Sequence, residues 1–314
     1  MATSQQTTTV LEVNEPLENL KLVLTSPRPR SPDTLTGYLS VAGQFLAWLG
    51  DRVPPTEMDL RRYFLKRRDE GISDSTLRTT FAVLQKLYSA NRKVNPTTRE
   101  VAWDWPLIPE DRPEAPPETN TPAFTREEVS ELIKNRELYS KGERFYLAVA
   151  TIYAPRRIEL ARIKKRDIKD NTIRIDTAKK GEKRTHLIPV EIMPYVEAYR
   201  PQENNVRTLS FMFGRICKKG LGEHKKGYGW HSFRTCLNTL LPTSLAKADK
   251  PLTLIGYFLR WSRRATGARF LGTPMGGVYA RPEILSEDPY FIDREVFEVH
   301  PFLPLWVDVD KQAL

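Results

Sequence analysis

The sequence predicts a mainly α-helical protein with a small β-sheet, divided into two domains. Three observations predict it. Apolar residues recur at helical spacing, first at Leu35, Tyr38, Leu39, Ala42, Phe45, Leu46 and Leu49. One stretch, residues 171–190, alternates like a strand pair around a turn. Seven prolines between Pro96 and Pro122 interrupt the helical pattern and mark a boundary. A chain of 314 residues, 40% apolar, is long enough to bury two cores.

Each element has its own signal. Residues 1–9 are polar and expected to be disordered. Residues 10–95 read as a helical bundle. Ser31-Pro32-Asp33 opens a helix that Gly50 and Pro54-Pro55 stop. Thr56 can cap a second, in which Leu60, Phe64 and Leu65 lie beside Arg61, Arg62, Lys66, Arg67 and Arg68. Ser75 is expected to start a third, with Leu77, Phe81, Leu84 and Tyr88 on one face. Residues 96–123 read as a semi-rigid linker, anchored to a neighbour by Trp103-Asp104-Trp105. Thr125-Arg126-Glu127-Glu128 is a capping box, so a helix starts there. Residues 143–153 are nearly all apolar and predict a buried helix. A β-hairpin with a basic tip around Lys180-Gly181-Glu182 follows, then helices to about residue 262. The second domain is placed at 124–287 and an acidic tail at 288–314.

The net charge of +10 understates a contrast along the chain. Between residues 126 and 281 there are 32 Lys and Arg against 15 Asp and Glu, and acidic segments flank this block. Such a block predicts a polyanionic partner more strongly than the total does. Two cysteines cannot staple a fold of this size, which points to a reducing, cytoplasmic compartment. The first twenty residues lack the pattern of a secretory signal, and no run approaches a membrane span. No phosphate-loop motif suggests a nucleotide-driven motor. Cys217, His224, His231 and Cys236 are spaced unlike a structural zinc site, and residues 251–281 hold no carboxylate for a two-metal centre. No metal and no cofactor is therefore expected.

Four signals follow the linker in order. They are Tyr153-Ala154-Pro155-Arg156-Arg157-Ile158-Glu159-Leu160, the hairpin lysines Lys179, Lys180 and Lys183, then His231-Ser232-Phe233-Arg234, and last Trp261 followed by Tyr279. Order and spacing together resemble the tyrosine recombinase (phage-type integrase) family. The resemblance implies an N-terminal helical core-binding (SAM-like) domain and a C-terminal α+β catalytic domain, clamped around DNA. It implies Arg156, Lys180, His231, Arg234, Trp261 and Tyr279 as catalytic residues. Arg157 rivals Arg156, but spacing to Glu159 favours Arg156. Glu159 is expected to bond backbone or an arginine. The Trp261–Tyr279 gap is longer than usual for the family, which leaves Tyr290 as a reserve nucleophile.

Elementary chemistry agrees with that assignment. Without a metal, a pentacoordinate phosphorane needs other positive charge, and two arginines can fork onto its oxygens. A tyrosine hydroxyl can form the covalent link, and a lysine can protonate the departing 5′-hydroxyl. Arg61, Arg62, Arg67, Lys164, Lys165, Lys179 and Lys183 are the expected phosphate contacts. The resemblance further implies double-stranded DNA carrying specific recombination sites, a homo-tetramer on synapsed DNA, and a tail that docks on a neighbouring protomer, with folding back onto its own domain as the alternative. An accessory directionality protein is a further candidate partner, and a mobile element or virus the expected origin. Two alternatives stay open: a catalytically inactive DNA-binding protein of the same fold, and a type IB topoisomerase or telomere resolvase relative.

Overall fold

Among the described residues the first four helices are α1 (Asn14–Thr25), α2 (Pro32–Leu49), α3 (Glu57–Asp69) and α4 (Asp74–Asn91). The computed structural model describes residues 14–27, 29–114, 121–177, 183–271 and 287–307, and divides the chain into two units, Met1–Thr119 and Asn120–Leu314. Ser31 caps α2 by accepting the Thr34 N–H, and Thr56 with Asp59 closes a capping box on α3. The third cap is Ser73 rather than Ser75: the Ser73 hydroxyl accepts the Thr76 N–H, so Ser75 falls inside the first turn. Leu20, Phe45, Leu46, Leu60, Leu84 and Tyr88 fill the core of this unit.

The described part of the proline-rich stretch is built around its tryptophans. Its start forms an antiparallel ribbon, β1 (Lys93–Val94) with β2 (Val101–Ala102). Trp103 and Trp105 then meet the Tyr88 ring edge-on, each at 5.2 Å, and Trp103 and Leu107 join the core. The tryptophan pair thus anchors this segment to the first unit.

The second unit is built on a buried helix. After α5 (Arg126–Lys134), capped by Thr125 and Glu128, comes α6 (Lys141–Tyr153). Residues 145–153 of α6 are all buried. Ser140 and Glu143 cap its start, and Glu143 also binds Arg215 at 2.6 Å and Lys219 at 2.9 Å. Burial pushes that carboxyl up, but the Ser140 N–H and the two cations outweigh it and bring its pKa to about 2. Next come α7 (Arg157–Ala161) and a three-stranded antiparallel sheet: β3 (Ile168–Lys169), β4 (Thr172–Ile175) and β5 (Arg184–Leu187). Ile173 stands opposite His186 in its register. The remaining α-helices among the described residues are α8 (Met193–Glu197), α9 (Val206–Leu221), α10 (Trp230–Lys247), α11 (Thr253–Phe258), α12 (Arg263–Phe270) and α13 (Phe291–Phe297). The architecture is mainly helical with small sheets, as predicted, though the ribbon β1–β2 was not foreseen. Among the described residues no helix is long and apolar enough to cross a membrane.

The C-terminal segment packs into this same core through Ile292, Val296, Phe302, Leu303 and Trp306. The Trp306 indole donates to Thr151 Oγ1 at 3.2 Å, and His300 Nε2 donates to the Ile152 carbonyl at 3.0 Å. The Phe302 N–H donates to His300 Nδ1, which fixes that ring as neutral.

Two buried histidines make this unit sensitive to acid. Burial lowers the pKa of His186 to about 4, against the pull of Asp293, and burial does the same to His300. An unfolded chain protonates both below about pH 6.5, whereas the folded chain does so only near pH 4. Their stabilisation is complete above 6.5 and is lost as the pH falls from 6.5 towards 4. Together they are expected to remove roughly 3 kcal/mol of unfolding free energy between pH 6.5 and 5. Urea unfolding at the two pH values measures it; equal stabilities would contradict the neutral buried state of these rings.

Candidate active site

The end of α6 is the starting point. Ala154 closes the helix in the left-handed region at φ 45°, and Pro155 turns the chain out, so Arg156 emerges at the start of α7. Glu159, one turn on and fully buried, accepts the Arg156 backbone N–H at 2.8 Å and its guanidinium at 2.7 Å. It therefore bonds both backbone and an arginine. Arg156 is the half-exposed member of the pair, with 27% of its side chain open to solvent. Arg157 points elsewhere, exposed and bonded to Ser210 Oγ at 3.1 Å.

Arg234 comes from the N-terminal part of α10, just past its first turn, and is buried. It donates to the Ala154 carbonyl at 2.8 Å and the Leu259 carbonyl at 2.7 Å. Its fork thus ties the end of α6 to the end of α11. Burial first, then the nearby charges of Arg260 and Arg156, lower its pKa to about 9. Arg260 was not foreseen. It is 1% exposed, adopts a left-handed φ of 58°, and donates to the Tyr153 carbonyl at 3.1 Å and to His186 Nε2 at 3.0 Å. It also lies 3.7 Å from Glu159. Burial lowers its pKa to about 10, although Glu159 opposes the shift. Two guanidiniums, Arg156 and Arg260, therefore share one carboxylate, Glu159, and the Arg234 guanidinium lies within range of their charges. That carboxyl is held below its usual range by Arg260 and Arg156 in spite of its burial.

The other expected residues divide into three groups. Trp261 follows Arg260 directly. Its ring stacks on Phe270 at 5.8 Å and 6°, with Arg269 over its face at 4.9 Å. Gly256 makes this packing possible, because a Cβ there would lie 2.3 Å from Thr266 Oγ1 on α12. His231 is exposed on α10, one turn before Arg234. Lys179, Lys180 and Tyr279 lie outside the described residues, and Tyr290 sits at the N-cap of α13.

Of the expected phosphate contacts, Lys164 and Lys183 line one recess of about 240 Å³ with Arg162, Arg166 and Arg174. Lys164 pairs with Glu203, Lys183 lies 3.7 Å from Asp176, and Lys165 is exposed. In the first unit Arg62 is exposed, Arg61 binds Glu57 and Asp111, and Arg67 binds Glu70. A larger cleft of about 600 Å³, lined by Val190, Pro194, Tyr195 and Trp306, contains none of the clustered arginines. Among the described residues no group of three His, Cys, Asp or Glu could hold a metal ion.

Sequence reasoning missed Arg260, His186 and Asp293. Asp293 Oδ1 bonds His186 Nδ1 at 2.8 Å, and its Oδ2 accepts the Leu187 N–H at 3.0 Å. The available signals were slight: a histidine at an inward strand position, and an arginine next to Trp261.

Comparison with known proteins places the fold. No family model matches the sequence, and no curated protein matches it. Several solved structures do. A lambda integrase dimer bound to a COC' core site matches at TM-score 0.59 and 15% identity, over 85% of this chain and 81% of that one. XerH site-specific recombinase bound to difH substrate matches at TM-score 0.56 and 14% identity, over 90% and 97%. Lambda integrase residues 75–356 bound to DNA match at TM-score 0.55 and 17% identity, over 79% and 90%. The chain thus has the fold of these recombinase and integrase structures.

Glu159 is the residue whose loss should disturb the cluster most. In Glu159→Ala, Arg156 and Arg260 lose their shared carboxylate while Arg234 stays buried beside them. Breaking a buried ion pair from one side is expected to cost about 3–5 kcal/mol. Urea unfolding measures it, and a loss under about 1 kcal/mol would show the charges are neutralised otherwise.

Proposed function

We propose that this protein is a site-specific DNA recombinase that cuts and rejoins strands through a 3′-phosphotyrosine. The observation that carries the reading is the Glu159 carboxylate shared by Arg156 and Arg260, with Arg234 buried beside them, in a fold shared with DNA-bound integrase and recombinase structures. That arrangement leaves positive charge in excess and one guanidinium open to solvent. A phosphate would supply the missing anion.

In this reading Arg156 and Arg234 bind the non-bridging oxygens of the scissile phosphate. The Tyr279 hydroxyl attacks phosphorus and passes its proton to His231. The new bond joins phosphorus to the tyrosine oxygen, while the bond to the 5′-oxygen breaks and that oxygen takes a proton from Lys180. The Trp261 indole donates to a phosphate oxygen. The freed 5′-hydroxyl then attacks the partner strand, giving a Holliday junction that a second round resolves. Phosphodiester energy is conserved in the protein link, so no nucleotide is consumed. Four protomers synapse two sites, and the first unit serves as the core-binding domain.

One observation favours a second reading, a DNA-binding protein of the same fold without turnover. The ring stacked on Trp261 belongs to Phe270, which has no hydroxyl.

A nicked duplex, selected by the protein from a random pool, separates the two. A recombinase is expected to give a covalent protein–DNA band on a denaturing gel, absent in Tyr279→Phe with DNA binding intact. A band that persists moves the nucleophile to Tyr290 or another tyrosine. Binding without any band favours the second reading.

Binding should also weaken steeply with salt. Lys165→Ala is expected to reduce the slope of log affinity against log salt by about 1. An unchanged slope would remove Lys165 from the interface.

A further inference from the structure

Arg260 occupies a backbone conformation that side chains avoid. A left-handed arginine is strained, and such strain persists only where surrounding structure holds it. Here four groups do so: the Tyr153 carbonyl, Glu159, His186 and the Phe258 carbonyl.

The contacts form a directed chain. An arginine can only donate, so His186 Nε2 must accept from it, and the ring proton must sit on Nδ1. That proton goes to Asp293 Oδ1, while Asp293 Oδ2 is occupied by the Leu187 N–H. Arg184 approaches the same aspartate at 3.8 Å. Both ring nitrogens of His186 and both oxygens of Asp293 are therefore committed. At the other end, Arg260 holds the Tyr153 carbonyl and Arg234 holds the Ala154 carbonyl. These two residues precede Pro155 and Arg156.

We propose that Arg260 is a positioning residue: through His186 and Asp293 it locks the 153–156 turn to β5 and α13, and so sets where Arg156 meets a phosphate. This deepens the proposed function and rests on its assignment of Arg156 as a phosphate ligand. It makes the C-terminal helix, more than a hundred residues from Arg156, part of the frame of the site.

A double-mutant cycle tests it. Arg156→Ala and Arg260→Met are made singly and together, and covalent adduct formation on the selected nicked duplex is timed for each. Arg260→Met is expected to slow adduct formation about 100-fold, the scale of a misplacement near 1 Å. If Arg260 acts by placing Arg156, adding Arg156→Ala to Arg260→Met should cost less than about threefold, against a large loss in the parent. Losses that multiply would overturn the proposal, because a merely structural role leaves the Arg156 effect unchanged.

A milder pair of variants guards against simple unfolding. Glutamine can accept from Arg260 and donate to Asp293 as the ring does, so His186→Gln should stay within about threefold of the parent. Phenylalanine keeps the ring but breaks the chain, so His186→Phe should fall towards Arg260→Met. Equal rates for His186→Gln and His186→Phe would also overturn the proposal. If the parent binds DNA but forms no adduct, the recombinase reading falls separately. The same cycle is then read in affinity for the duplex, where coupling supports the positioning role and additive losses overturn it.

Discussion

A helix that ends inside a protein leaves carbonyls facing away from water, and each needs a donor. The end of α6 meets this constraint, and much of the second unit answers it. The Ile152 carbonyl takes the His300 N–H, the Tyr153 carbonyl takes Arg260, and the Ala154 carbonyl takes Arg234. The partial negative charge of a helix C-terminus also favours cations there. Two of the three donors are guanidiniums, so the device that closes the helix also brings positive charge to the place where Arg156 emerges.

Burying guanidiniums side by side is unfavourable without compensation. Glu159 and Asp293 supply it, both fully buried, with His186 as a neutral bridge between Arg260 and Asp293. Two carboxylates face three guanidiniums, so the compensation falls short of full neutralisation; burial first, and then the neighbouring arginine charges, lower the pKa of Arg234 and Arg260. A fully neutralised cluster would need no further anion. This one retains an unmet positive charge, the condition under which a phosphate binds strongly.

The sequence made the helices, the hairpin and the Arg156, Glu159 and Arg234 constellation legible, because each rests on local spacing. Capping residues sit within three positions of their targets, and His231 and Arg234 are one helical turn apart. Long-range contacts were not legible. His186 meets Asp293 across 107 positions and Arg260 across 74, and nothing in a strand histidine or a helix aspartate announces such a partner. The left-handed φ of Arg260 was equally hidden, since that conformation is ordinarily expected of Gly or Asn. In the proline-rich stretch the Trp103 and Trp105 anchor was legible, but its partner, the Tyr88 ring, was not.

The excess of 17 basic residues between 126 and 281 contains two physically different kinds of charge. Lys164 and Lys183 stand at a wet recess beside acids, where pairing is weak and exchangeable, so a polyanion can displace Glu203 or Asp176 at little cost. Arg234 and Arg260 are buried and aimed at carbonyls, so they cannot follow a mobile partner. The first kind suits attraction and salt-dependent grip along a backbone. The second suits a fixed pocket, where geometry rather than total charge selects one phosphate. A single sum of charge hides this division, and only the second kind requires the fold that α6, β5 and α13 build together.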